Sequence, residues 1–126
     1  DVVLLIVAAL SKNQLEDYFL LARELGMRSL IEVHTHDELE RALEISPEII
    51  GVNSRNLKTL DVDSQAFADL IPQIPTTIAR VAESGISTRQ DVVFAQEQGA
   101  TAILVGEALV RAESPSVAID QLLGRL

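Results

Sequence analysis

"VAESGIS", residues 81–87, ends an apolar run with a carboxylate, a serine and a glycine, and a helix pattern follows at once. The run, residues 78–82, is broken only by Arg80, as in a strand of a parallel sheet with both faces buried. A buried strand that leads directly into a helix is typical of a βα unit. A polar tip on such a strand lies where α/β proteins place their functional residues.

The same unit recurs along the whole chain. Continuous apolar runs predict strands at residues 2–8, 30–33, 49–52, 78–82 and 102–105. Amphipathic helices are predicted between them, a short helical turn at residues 106–110, and a last helix from Pro115 to Leu123 after a Ser114 cap. Five strands therefore alternate with helices, without a linker, and we expect one domain over residues 1–126.

Capping residues set the predicted helix boundaries. Ser11 begins a helix over residues 12–25, whose apolar face includes Leu15 and Leu25 and which Gly26 ends. The remaining predicted caps are two capping boxes and one lone aspartate: Thr35 with Glu38, Ser87 with Gln90, and Asp63.

Two architectures fit this alternation. One is an open, doubly wound five-stranded sheet of the flavodoxin-like kind. The other is the carboxyl-terminal part of a (β/α)8 barrel, which needs about 250 residues when complete. Both place function at the carboxyl ends of the strands, and the pattern alone does not choose between them.

Composition excludes several classes of function. The 126 residues carry a net charge of -9, which disfavours a broad surface for nucleic acid or anionic membrane. No cysteine is present, which excludes disulfides and thiolate catalysis. The apolar run at residues 2–10 is too short to span a bilayer and has no basic lead-in, so we expect a cytoplasmic protein. Because the chain starts at Asp1 and enters a strand directly, we expect it to be part of something longer.

Polar residues and glycines gather at the predicted strand tips. In a parallel sheet these tips meet at one edge, and the residues concerned are Glu32, His34, Asn53, Ser54, Arg55, Glu83, Ser84, Gly85, Gly106 and Glu107. Buried acids cost several kcal/mol unless they are paired, so a ring of them is a site candidate. The alternatives are a structural ion pair for Glu32 and Glu83, a loop cap for Asn53, and plain turns for the glycines.

Two further expectations follow from these tips. Gly85 and Gly106 stand in successive βα loops ahead of helix starts, which suits a phosphate held by backbone amides. His34 and His36 are expected to be surface loop residues, and without a second ligand set at metal spacing we expect no metal site.

Five segments together resemble the indole-3-glycerol-phosphate synthase family: "LLIVAAL", "LIEVHTHDELERAL", "IIGVNSRNLKTLDVD", "VAESGIS" and "AILVGEALVRA". The resemblance covers the chain in order and implies strands four to eight of a (β/α)8 barrel. It implies a lyase of tryptophan biosynthesis that closes the indole ring of 1-(2-carboxyphenylamino)-1-deoxyribulose 5-phosphate with loss of carbon dioxide and water. It implies no cofactor.

The resemblance also assigns roles to individual positions. Catalytic roles fall on Glu32, Asn53 and Glu83, with proton transfer assigned to Glu32. Substrate contacts fall on Leu4, Arg55, Ser84 and Leu104. Phosphate-binding positions fall on Gly85, Gly106 and Glu107, of which Glu107 departs from the serine of some members. A carboxylate beside a phosphate is unfavourable, so we expect the Glu107 amide to bind while its side chain points away.

In the family, the principal general-acid lysine lies on barrel strand three, and another catalytic glutamate and a phosphate-binding lysine lie on strand one. The resemblance places neither strand in this chain. We therefore expect residues 1–126 alone to have very low activity. Open sheet edges favour pairing with another chain, so we expect one of three outcomes. The chain pairs with a second copy, pairs with a separate amino-terminal half, or relaxes into an open five-stranded sheet. The competing interpretations are a non-catalytic half-barrel and another phosphate-sugar barrel isomerase, and "EVH" with "VNSRNL" argues against the isomerase.

Overall fold

The computed structural model describes all residues from 1 to 126 and contains one parallel sheet of five strands. The strands are β1 (Val2–Ile6), β2 (Arg28–Val33), β3 (Ile49–Asn53), β4 (Ala79–Glu83) and β5 (Ala102–Leu104). The helices are α1 (Lys12–Glu24), α2 (His36–Glu44), α3 (Gln65–Leu70), α4 (Arg89–Glu97), α5 (Glu107–Arg111) and α6 (Pro115–Leu123), with 3-10 turns at Val7–Ala9 and Ile71–Gln73. None of the helices has the length and apolar character needed to cross a membrane.

The strand order decides between the two predicted architectures. The sheet runs β1-β2-β3-β4-β5, with every neighbouring pair parallel. Each right-handed crossover therefore advances in the same direction and places its helix on the same face of the sheet. A doubly wound sheet needs a reversal of strand order, so the flavodoxin-like alternative is wrong. The sheet is a run of (β/α)-barrel units.

The core lies between the sheet and its helices. Alternate strand residues point to opposite faces, and on the helix side Ile31, Ile50 and Val52 of the central strands are fully buried. They form one cluster with helix residues such as Leu15 and Phe67. This single apolar layer accounts for the apolar residues on the helix side of each strand.

On the opposite face of the sheet, the inner face, side chains are buried on the central strands and exposed on the two outermost strands. On the outermost strands, Val2 is 56% exposed, Leu4 48% and Leu104 50%. The central strands β2, β3 and β4 instead carry buried polar residues on this face. The strands β1 and β5 each pair on one side only, so both edges of the sheet remain open.

Several predicted boundaries need correction. β1 ends at Ile6, and residues 7–9 form a 3-10 turn rather than more strand. Leu25 is 65% exposed, so it does not belong to the apolar face of α1, although the Ser11 capping box with Gln14 is present.

Capping of the later helices also differs in detail. The Ser87–Gln90 capping box is wrong, because Thr88 and Asp91 form the box one residue further on. Thr35 caps α2 as predicted by accepting from the Glu38 amide, but the Glu38 carboxylate accepts from the His34 amide instead of closing a box.

Two single caps are also revised. Ser64, not Asp63, is the N-cap of α3, and the Asp63 carboxylate instead accepts from the Gln65 amide at 2.9 Å. Ser114 is the N-cap of α6 by position, but its side chain makes no capping hydrogen bond.

Candidate active site

Three polar side chains lie together on the inner face, one from each central strand. Glu32 on β2 and Glu83 on β4 are 3% exposed, and Asn53 on β3 is 8% exposed. Asn53 Nδ2 donates to Glu32 Oε1 at 3.0 Å, while Asn53 Oδ1 accepts from the Arg55 amide at 2.9 Å. These two bonds fix the orientation of the amide. The acid on β2 is therefore held by a donor at the tip of β3.

The two carboxyl groups form a protonated pair. Burial, the hydrogen bond with Glu32 and the charge of Glu32 raise the pKa of Glu83 from 4.5 to about 9. Glu83 Oε1 is buried and no donor reaches it, so no hydrogen bond stabilises a negative charge on that oxygen. At neutral pH the pair holds a proton that one oxygen can donate and another can accept.

His34 extends this cluster, which corrects the prediction that it is a surface loop residue. Its side chain is 13% exposed, with Nε2 3.4 Å from Glu32 Oε1 and Nδ1 3.2 Å from Glu38 Oε2. The Nε2 atom makes no hydrogen bond of good geometry. His34 stands two residues after Glu32, so strand periodicity directs both side chains to one face. His36, in contrast, lies on the surface as predicted, with its side chain 58% exposed.

A cavity of about 580 Å³ opens at the carboxyl ends of β4 and β5, and its lining includes Ser84, which directly follows Glu83. Six of the residues predicted for the site line it: Arg55, Ser84, Gly85, Leu104, Gly106 and Glu107. The cavity also has residues that the sequence did not single out, among them Val62, Ile86 and Arg111. The predicted phosphate-loop glycines of two successive βα loops therefore face one space.

Ser84 and Gly85 both adopt left-handed backbone conformations, each with φ of 67°. Ser54 holds this turn, because its Oγ donates to the Ser84 carbonyl at 3.0 Å and lies 3.2 Å from the Glu83 carbonyl. A Cβ on Gly85 would lie 2.5 Å from Val62 Cγ1, so only glycine fits here. The loop from β3 thus packs directly on the loop from β4.

Charged residues close the rim of the cavity. Arg55 Nη2 lies 3.4 Å from Glu107 Oε2, and Arg111 Nη2 lies 2.9 Å from Glu107 Oε1. Arg55 Nη1 also donates to the Leu60 carbonyl at 3.0 Å. The Glu107 carboxylate is therefore paired with two arginines at the rim. The side chains of Glu107 and Arg111 are largely solvated and that of Arg55 is 34% exposed, so these ion pairs add at most about 1 kcal/mol each.

Leu4 is the predicted site residue that stands apart. It lies on β1 opposite Leu30 of β2 and does not line the cavity. Its half-exposed side chain forms part of the uncovered inner face.

Sequence reasoning missed two contributors to the cluster. Ser54 was noted only as a strand-tip residue, and Gly51 was not considered at all. A glycine inside a strand pattern signals close approach by another group, and that signal was available for Gly51.

Sequential parallel strands, helices on one face and a polar cluster at the carboxyl ends define a protein of the (β/α)-barrel class. Solved structures agree on the fold. The chain superposes on 3-hexulose-6-phosphate synthase with a TM-score of 0.77 at 14% identity, covering 100% of this chain and 62% of that one. It superposes on a tryptophan synthase complex from Pyrococcus furiosus with a TM-score of 0.72 at 23% identity, covering 98% and 55%.

The family follows from the sequence comparison. The model of the indole-3-glycerol phosphate synthase family matches residues 1–122, and the chain belongs to that family. It is 53% identical to an indole-3-glycerol phosphate synthase from Kineococcus radiotolerans, over 98% of this chain and 45% of the relative. The chain thus spans about half the length of the curated relatives that it matches.

Proposed function

We propose that residues 1–126 form one partial barrel domain carrying the carboxyl-terminal half of an indole-3-glycerol-phosphate synthase active site. The reaction is ring closure of 1-(2-carboxyphenylamino)-1-deoxyribulose 5-phosphate with loss of carbon dioxide and water, in cytoplasmic tryptophan biosynthesis and without a cofactor. The observation that carries the proposal is the buried Glu32–Asn53–Glu83 cluster at the carboxyl ends of three strands, in a chain of this family.

The cluster has the chemistry that ring closure needs. An acid must assist loss of the hydroxyl group, and a base must take the proton from the new ring. A carboxyl pair that holds one proton supplies both functions within one contact, and Glu32 and Glu83 are the groups proposed for it. Asn53 positions Glu32 through its hydrogen bond and presents its amide beside the acids. The role of each group is therefore proton transfer or substrate positioning.

The adjoining cavity suits the phosphate end of the substrate. Gly85, Gly106 and the Glu107 amide are proposed to bind the phosphate. Glycine has no side chain, so a ligand can approach the backbone closely at these positions. Arg55 and Ser84 are proposed as further substrate contacts at the same cavity. Leu104 at the cavity wall and Leu4 on the inner face outside the cavity are proposed to face the aromatic part of the substrate.

The open edges favour a partner that completes the sheet. Val2, Leu4 and Leu104 leave apolar surface uncovered on the inner face at both outermost strands. We propose that further strands cover it, supplied by an amino-terminal half like that of the longer relatives or by a second copy. Residues 1–126 alone are then expected to show little or no turnover.

A chimera tests the proposal. The part of the Kineococcus radiotolerans relative that precedes the matching region is fused to residues 1–126, and turnover is followed by indole fluorescence. We expect turnover by the chimera, a loss of at least a hundredfold with Glu32→Gln, and unchanged turnover with Glu97→Gln, an exposed control on α4. A folded chimera that is inactive, or one indifferent to Glu32→Gln, would overturn the proposal.

A further inference from the structure

Gly51 lies between the two acids of the site and has no side chain. It stands on β3 opposite Glu32 of β2 on one side and Val81 of β4 on the other. A Cβ built on Gly51 would lie 1.7 Å from Glu83 Oε1 and 2.8 Å from Glu83 Cδ. The Glu83 carboxyl group therefore occupies the space that any other residue at position 51 would fill with its own side chain.

This placement answers a geometric problem. Glu32 and Glu83 belong to strands separated by a third strand, so their backbones are about 9–10 Å apart. A glutamate side chain covers that distance only by lying across β3. Asn53 is the register partner of Glu83 on β3. The Glu83 side chain nevertheless crosses β3 above Gly51 and not above the Asn53 amide.

Backbone conformation does not explain the glycine. Gly51 is absent from the glycines with positive φ and lies within regular strand pairing on both sides. Glycine inside a strand weakens it and loses side-chain packing, so its presence there needs another reason. The reason is that the Glu83 carboxyl takes the space of a side chain at position 51. Leu30 Cδ1, 3.1 Å from a Cβ built on Gly51, bounds that space on another side.

We infer that Gly51 is a positioning residue, which keeps the surface of β3 open so that Glu83 reaches Glu32 and the two carboxyl groups stay hydrogen-bonded. This positioning role goes beyond the proposed reaction. Only its effect on proton transfer by the Glu32–Glu83 pair rests on the proposed function. The other titratable groups facing the pair are His34, directly after the end of β2, and, behind it, Glu38 from α2. The neighbour contributed by β3 is the uncharged Asn53.

Carboxyl titration by NMR tests the inference independently of any enzymatic activity. Glutamate labelled with ¹³C at the carboxyl carbon is incorporated into residues 1–126, and the Glu83 signal is assigned by its loss in Glu83→Gln. With native Gly51 the signal is expected to titrate near pH 9, the raised pKa of Glu83. With Gly51→Ala its midpoint is expected to fall by at least one pH unit, a tenfold change in proton affinity, because the displaced carboxyl loses both Glu32 and its burial.

Two variants separate positioning from general damage. Val52→Ala removes buried volume from the same strand on the helix side, so it is expected to destabilise the fold without moving the Glu83 midpoint. If Gly51→Ala does not fold, Glu83→Ala is added to clear the space that the new Cβ needs, and folding is expected to return. An unchanged midpoint in folded Gly51→Ala, an ordinary midpoint with native Gly51, or a double variant that stays unfolded would each overturn the inference.

Discussion

Replacing Glu83 with glutamine is expected to change how the stability of this protein depends on pH. Glutamine has the shape of the protonated acid but cannot ionise. In the folded chain the pKa of Glu83 is raised to about 9 by burial, by its hydrogen bond with Glu32 and by the charge of Glu32, whereas its ordinary value is 4.5. The native group is therefore linked to folding through a proton, and the variant is not.

The sign and size follow from that difference. Between the two pKa values the unfolded chain has released the proton and the folded chain retains it, so the free energy of unfolding falls as pH rises. Stability from this group is complete below pH 4.5 and is lost progressively up to about pH 9. One pH unit in this window corresponds to about 1.4 kcal/mol. From pH 5.5 to pH 7.5, the native chain should lose about 2–3 kcal/mol that Glu83→Gln does not lose.

Urea unfolding followed by circular dichroism at pH 5.5, 6.5 and 7.5, at constant ionic strength, measures this difference directly. Ionisable groups that do not contact the Glu32–Glu83 pair act alike in both proteins and cancel from the comparison. Glu97→Gln removes the same charge from an exposed site and should follow the native pH dependence. If the native and Glu83→Gln proteins lost stability in parallel between pH 5.5 and pH 7.5, the shared-proton pair would be refuted.

Three further outcomes are expected. Asp91→Asn should cost about 1 kcal/mol in urea unfolding at pH 7, because the Asp91 carboxylate accepts four hydrogen bonds at the start of α4. Burial raises the pKa of Asp91, but the hydrogen bonds from Ser87 and Thr88 outweigh it and lower the pKa overall. The contribution of Asp91, present above pH 3.8, should therefore disappear as pH falls further, and a native chain that kept its full advantage over Asp91→Asn at pH 2 would contradict this. Gly85→Ala should weaken binding of inorganic phosphate about tenfold by ³¹P NMR, through the strain of its positive φ and the contact with Val62, and Val62→Ala should recover only part of the loss. Leu4→Lys should lower self-association in sedimentation velocity, since Leu4 is 48% exposed on the inner face, and unchanged association would rule out that surface.

Local signals in the sequence were enough to find most of the fold. Apolar runs located all five strands, because a strand that packs helices on one side must be apolar there whatever its neighbours. Helix starts depended on finer competition. The α4 cap falls at Thr88 and not Ser87, because Asp91 accepts hydrogen bonds from both residues and closes the box with Thr88.

The residues of the candidate site were likewise predictable from strand ends. Parallel strands bring their carboxyl ends to one edge, so Glu32, Asn53 and Glu83 could be expected to lie near each other without knowledge of the strand order. His34 was misplaced because its position in a strand-to-helix connection suggested a surface loop. Its contact with Glu32 follows from side-chain alternation carried past the end of β2.

Strand order itself was beyond the reach of the pattern. A doubly wound sheet and a barrel use the same alternation of βα units and differ only in which edge each new strand joins. That choice lies in pairings between segments 20 to 30 residues apart along the chain, such as Ile50 with Arg80 and Leu5 with Ile31. No local propensity encodes such a pairing.

The sequence by itself therefore determined the elements, the polar strand tips and the glycine loops, because each depends on a few neighbouring residues. Only the tertiary structure decided that the sheet runs in one direction and that Glu83 crosses β3 above Gly51 to share a proton with Glu32. The physical reason is that such a contact is a property of three strands at once. Its energy depends on burial and on the distance between charges, and both exist only when the sheet has formed.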